Sequence, residues 1–202
     1  TIGTDYSETP LMLTGFTYNA GKSTASGTLS ADGLVLKLYY DRNVYPYKFR
    51  FLVQGTTETK VADPVTGSAR YQARVTQGAK EVPGYTLVLG TTNPQTIDIV
   101  AEEGNTAVNN VKIFYYVEDT VDIKYEVVGP DGCGTLDNYQ NNTVKVVDGT
   151  PEGSTPTASA GFKFVGWYKD KDCTQPVDEA WIENNRITPQ KTADLGNGTM
   201  GY

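Results

Sequence analysis

The sequence predicts a mainly β fold, with α+β as the alternative, laid out as tandem small repeats that form an elongated rod. Three observations carry this. Gly15-Phe16-Thr17-Tyr18, Gly84-Tyr85-Thr86-Leu87 and Gly161-Phe162-Lys163-Phe164 set one glycine-aromatic mark at intervals of about 70 and then about 77 residues, the signature of a repeat array. The first two marks each lead to a strand that ends on a tyrosine pair, Leu36-Lys37-Leu38-Tyr39-Tyr40 and Val111-Lys112-Ile113-Phe114-Tyr115-Tyr116. The 14 tyrosines, with abundant Thr and Val, suit pleated, half-buried surfaces, and no long amphipathic helical run accompanies them.

The elements follow in order. After a Thr/Ser/Pro-containing start with Leu11, Met12 and Leu13, the first glycine-aromatic mark gives way to a small polar stretch over 19–30. Asp32-Gly33 is a strong turn signal before an apolar run, so a hairpin ending in the strand over 34–40 is expected. Asp41-Arg42-Asn43 is too short for a flexible linker. Tyr47, Phe49, Phe51 and Val53 then alternate with Lys48 and Arg50, which is the period of a half-buried strand. Residues 71–79 fit a strand or a short helix. Tyr85 to Leu89 and Thr96 to Val100 read as strands, and Glu102-Glu103-Gly104-Asn105 turns into the aromatic strand over 111–117.

Glu118-Asp119-Thr120 is a second short junction. Val121, Ile123, Tyr125 and Val127 alternate with Asp122, Lys124 and Glu126, a copy of the strand at Tyr47 to Val53. A Gly/Pro/Asp turn follows over 129–134, then a strand over 143–147. The Ser/Thr/Ala-rich stretch 153–160 is expected as one short helix. Residues 161–168 form an aromatic strand, 170–174 turn, and the apolar run 181–187 is interrupted by Asn184-Asn185. The domain division is therefore 1–43, a partial repeat; 44–119, a full repeat; and 120–202, a third unit. The chain begins partway through a repeat, which reads as a piece of a longer protein. About 40 residues rarely bury enough surface to fold alone. Residues 1–43 are accordingly expected to join 44–118, to dock on the next repeat, or to pair with a strand of a neighbouring chain, and the first and second of these, which need no second molecule, are favoured.

Composition narrows the function classes. A net charge of −7 with dispersed acidic residues argues against a nucleic-acid partner, which needs a basic face, and against docking to anionic membranes. No run of about 18 apolar residues spans a bilayer, so direct membrane insertion is not expected. The absence of histidine removes the usual general base, zinc ligand and triad partner. Glu102-Glu103 and Asp178-Glu179 are adjacent acids on turns, which ordinarily face water. Asp170, Asp172 and Asp178 match no twelve-residue calcium loop. No cofactor or metal is implied and no enzyme is expected. Asn141-Asn142-Thr143 and Asn197-Gly198-Thr199 fit the glycosylation pattern, a short motif that recurs by chance. Nothing singles out a Lys–Asn pair for an isopeptide bond.

The first two repeats resemble MucBP-type repeats, the mucin-binding-protein modules of Gram-positive surface proteins. The carriers are Gly84-Tyr85-Thr86-Leu87, Ile113-Phe114-Tyr115-Tyr116, and Ala31-Asp32-Gly33 followed by Leu36-Lys37-Leu38-Tyr39-Tyr40. The third unit is similar to an internalin-type B-repeat, through Gly161-Phe162-Lys163-Phe164-Val165-Gly166-Trp167-Tyr168 and Cys173-Thr174-Gln175-Pro176-Val177. The resemblance implies β-grasp-like modules in a wall-associated or secreted adhesin-like protein, serving as stalk, as adhesive module, or as both. It brings no catalytic residues. The partners it implies are neighbouring repeats of the same chain and, in the adhesive case, mucin or another host glycoprotein. The first unit departs from the pattern by lacking an opening alternating strand, and the third by lacking a closing aromatic one.

In an exported protein, Cys133 and Cys173 would close a loop of about 40 residues, worth roughly 3–4 kcal/mol as a disulfide; two free thiols are the alternative. Trp167 and Tyr168 sit on an alternating strand, so one points inward and the other outward. An exposed aromatic there, or Trp181, would stack on a sugar ring, although core packing is the more ordinary role. The recurring Tyr39, Tyr40, Tyr115 and Tyr116 read as structural.

Overall fold

The computed structural model describes residues 1–196 and 198–202. The Asn197-Gly198-Thr199 motif thus lies in part outside the described residues. The architecture is mainly β, built of small sheets, with two 3-10 turns at Ala20–Lys22 and Glu179–Trp181. The strands are β1 (Asp5–Ser7), β2 (Phe16–Tyr18), β3 (Ser26–Thr28), β4 (Tyr40–Arg42), β5 (Val44–Val53), β6 (Lys60–Arg70), β7 (Arg74–Gln77), β8 (Tyr85–Leu87), β9 (Gln95–Asp98) and β10 (Val111–Glu118). They continue as β11 (Thr120–Ile123), β12 (Gly134–Leu136), β13 (Asn142–Lys145), β14 (Pro156–Ala158), β15 (Ile182–Glu183), β16 (Arg186–Ile187), β17 (Ala193–Gly196) and β18 (Thr199–Gly201). The described residues divide into two units. Unit 1 holds Thr1–Lys80 and Leu87–Tyr116, and unit 2 holds Glu81–Thr86 and Val117–Tyr202.

Unit 1 is centred on strands β6, β5 and β10, hydrogen-bonded in that order. The alternation read over 47–53 becomes β5, with Phe49 and Phe51 fully buried on one face. Leu52, on the other face, is buried as well, so this strand is covered more completely than a half-buried one. β10 runs parallel to β5, pairing Phe114 with Phe51, and the two rings stack with centroids 5.3 Å apart. Lys48 donates its backbone N–H to Asn110 on the β10 side. Pro46, two residues earlier, turns its donorless nitrogen to that same side before β10 begins, and there it breaks no ladder bond. Asn110 is fully buried because its side-chain amide donates to the Val100 carbonyl at 3.0 Å and accepts from the Val100 N–H at 2.9 Å.

Residues 1–43 form the β1–β3 and β2–β4 pairs and pack within unit 1. Asn43 N–H donates to the Gly15 carbonyl and Tyr71 N–H donates to the Asn43 carbonyl. The Tyr71 ring meets Phe16 edge-on at 5.6 Å. The strand expected over 34–40 is broken: only Tyr40 enters β4, while Lys37 makes an isolated bridge to Thr24. The opposing chain at Ala20–Lys22 is coiled into a 3-10 turn capped by Asn19, so it offers no continuous edge. The Asp32-Gly33 turn itself is present, with Gly33 at φ +92°. Residues 71–79 resolve to a strand, β7, paired with β9.

In unit 2 the predicted short helix at 153–160 is absent, and β14 pairs with β12 in its place. Pro156 lacks the N–H a helix interior needs, and Thr155 and Thr157 are β-branched, so the extended form wins. The interruption at Asn184-Asn185 is a two-residue hairpin joining β15 to β16, with φ of 50° and 65° at its centre, the left-handed pair of a type I′ turn. The core collects Tyr125, Leu136, Trp167, Val177 and Ile187.

Candidate functional site

A groove of about 720 Å³ opens in unit 2. Its two walls are extended segments, 124–128 and 162–167. Alternation places Tyr125 inward between exposed Lys124 and Glu126, and Trp167 inward beyond exposed Val165. β11 stops at Ile123, where its pairing with β13 ends. Among the described residues, no backbone hydrogen bond engages 124–128 on one wall or 163–166 on the other. Apolar side chains rim the opening, with Val165 76% and Val128 56% exposed.

The site residues read from the sequence all reach this groove: Cys133, Cys173, Trp167, Tyr168 and Trp181 line it. Trp167 is a core residue, its indole N–H donating to the Asn185 carbonyl at 2.8 Å and its ring edge-on to Tyr125 and Phe164. Tyr168 is half-buried beside it. Trp181 is half-buried with the Lys169 ammonium 5.4 Å above its ring, so that face is already covered. Cys133 and Cys173 are free thiols in this structure, the first part-buried and the second exposed. Of the recurring tyrosines in unit 1, Tyr39 is exposed, Tyr40 and Tyr115 are half-buried and Tyr116 is buried, and none of them lines the groove.

The carboxylates serve turns. Asp170 accepts from the Thr174 hydroxyl and from the Thr174 and Gln175 backbone N–H groups. The Thr174 hydroxyl above all, with those N–H groups, holds its pKa below the ordinary aspartate value. Asp178 accepts from Ala180 N–H and caps the 3-10 turn. Glu102 gathers the N–H groups of Val108, Asn109 and Asn110. Burial pushes the Glu102 carboxyl upward, and the three donors together outweigh it, leaving the pKa depressed. Among the described residues no group of three or more His, Cys, Asp or Glu is placed to hold a metal. No helix there is long and apolar enough to cross a membrane. One polar atom in the core stands out: the Tyr125 hydroxyl is buried with no hydrogen-bond partner among the described residues, the Gly153 backbone falling short of bonding geometry.

Sequence comparison adds one relative. The chain is 24% identical to Internalin J of Listeria monocytogenes serotype 4b (strain F2365), over an alignment 200 positions long that covers 92% of the chain. It spans 20% of that protein's length. No protein-family model matches the chain. No solved structure matches it.

The groove, and not any single aromatic, is what sequence reasoning missed. A signal existed in the repeat comparison itself. The alternating run at 121–127 copies β5, whereas the third unit has no copy of β10 to pair with it.

Proposed function

We propose that this chain is a non-enzymatic repeat segment of a bacterial surface protein, held outside the cell as a wall-associated or secreted stalk. In this reading β-grasp-like repeats, MucBP-like in the first two and B-repeat-like in the third, form an elongated rod that presents an adhesive part away from the surface. The observation that carries it is the similarity to Internalin J, which runs along 92% of the chain and so covers the repeats together. The short junctions, Asp41-Arg42-Asn43 and Glu118-Asp119-Thr120, support stiffness, because a few residues leave little freedom between elements. The test is small-angle scattering on the fragment together with binding to a panel of mucins and host glycans. An elongated, rigid profile without saturable binding supports the stalk; a compact or flexible profile sinks it.

A second reading, a binding module for mucin or another host glycoprotein, is favoured by the apolar rim of the unit 2 groove. Saturable binding lost on Val165→Asp would establish it in place of the first.

A further inference from the structure

We propose that the groove of unit 2 is a strand-acceptor site, which takes one extended strand of alternating aromatic and aliphatic residues, flanked by carboxylates, donated by a different protein and not by a second copy of this chain. This is independent of the stalk reading.

Three observations converge. The first is backbone chemistry. An extended strand carries N–H and C=O groups along both edges, and the groove offers it unpaired backbone on both walls, 124–128 and 163–166, among the described residues. A five-residue wall is about 17 Å long, the length of an ordinary strand. The second is the comparison of the two units. In unit 1 the opening alternating strand β5 has β6 on one side and β10, parallel, on the other. In unit 2 the matching run over 121–127 has β13 on one side as far as Ile123 and the groove along its continuation. The strand that fills this place in unit 1 buries Phe114 and Tyr116 on one face. An occupant with that alternation would set equivalent side chains on the floor made by Leu136, Trp167 and Val177. The third is charge. Lys124, Lys163, Lys169 and Lys171 line the groove against Glu126 and Asp170, an excess of two positive charges in a chain of net charge −7. Carboxylates flanking the donated strand suit that excess, as Glu118 and Asp119 follow the aromatic run in β10.

The probe is a peptide with the sequence of residues 111–119, which contains no tryptophan. Both tryptophans of the protein, Trp167 and Trp181, line the groove, so intrinsic emission reports its occupancy. The expected result is a saturable emission change with the peptide, and new amide protection in hydrogen exchange confined to 124–128 and 163–166. A control peptide carrying Phe114→Ser and Tyr116→Ser should not bind. Glu126→Pro on one wall and Val165→Pro on the other each delete one N–H at an exposed, unpaired position, and each should weaken binding about tenfold with the melting temperature held. Should one variant not fold, the other and the wild-type exchange pattern still decide. The proposal is overturned by an absent or non-saturable emission change, by equal binding of the control peptide, by protection elsewhere, or by proline variants that bind like wild type. It is overturned too if the peptide-free protein sediments as a dimer with these amides already protected, since a second copy then fills the groove. An emission change with mucin glycans in place of the peptide also overturns it.

Discussion

Tyr125 is the residue on which the accounting of unit 2 turns. Its ring belongs to the core, edge-on to Trp167 at 5.9 Å, while its hydroxyl has no partner among the described residues. Burial pushes the phenol pKa up and outweighs the opposing pull of the Gly153 backbone and the Arg186 charge. Removing such an atom deletes an unmet desolvation cost and leaves the packing intact. Tyr125→Phe should therefore be neutral or stabilise the protein by up to about 1 kcal/mol in a urea titration. A loss beyond about 1 kcal/mol would mean the hydroxyl holds a bond in solution. Residue-scale facts of this kind were only partly legible beforehand. That Trp167 points inward followed from alternation. Asparagine tolerates the left-handed region, so the Asn184-Asn185 pair carries the signal of a I′ hairpin as well as of an interruption in the apolar run. Asp170 matches no calcium loop in sequence, and in space it accepts from the Thr174 and Gln175 backbone N–H groups of its own turn.

At the scale of elements, β5 was fully legible and other strands only in part: the alternation over 121–127 is a strand only as far as Ile123, and the aromatic strand expected over 161–168 is extended chain outside any named strand. β5 combines β-branched and aromatic residues with a clean period of two, so local propensity and burial agree. The stretch at 153–160 is small and polar, its propensity is weak, and Pro156 together with the β12 edge decided it. Two predictions belong here. Phe114 is fully buried between Phe51 and Phe49, so Phe114→Ala should cost about 3–5 kcal/mol by chemical denaturation. A cost below about 1 kcal/mol would show that the β5–β10 pair is not the core of unit 1. The second prediction concerns the turn before β10. The depressed Glu102 carboxyl contributes stability that is fully present above the ordinary glutamate pKa and is lost as pH falls through the lower folded value. Glu102→Gln should then lower the melting temperature near neutral pH, and the gap to wild type should close on acidification below about 4. A gap that stays constant across that range would assign the effect to shape and not to charge.

At the scale of the whole chain, the partial repeat over 1–43 is part of unit 1. A segment of about 43 residues buries too little surface to persist by itself, and residues 1–43 pack within unit 1 beside β5 to β7. The fastening is specific. Gly15 sits at φ +80°, and a Cβ built there would fall onto the Tyr71 ring, which also meets Phe16 and Tyr45. Gly15→Ala therefore forces a left-handed alanine, at about 1–2 kcal/mol, and displaces the ring against which Phe16 packs. The loss should be local. Trypsin should cut faster at Lys22, Lys37 and Arg42, while the β5–β10 core, followed by amide exchange at Phe51 and Phe114, keeps its protection. Unchanged cleavage would show that the segment is held by something other than the Gly15–Tyr71 contact. Equal loosening of β5 and β10 would show instead that unit 1 unfolds as one cooperative body, in which residues 1–43 are as integral as the central sheet.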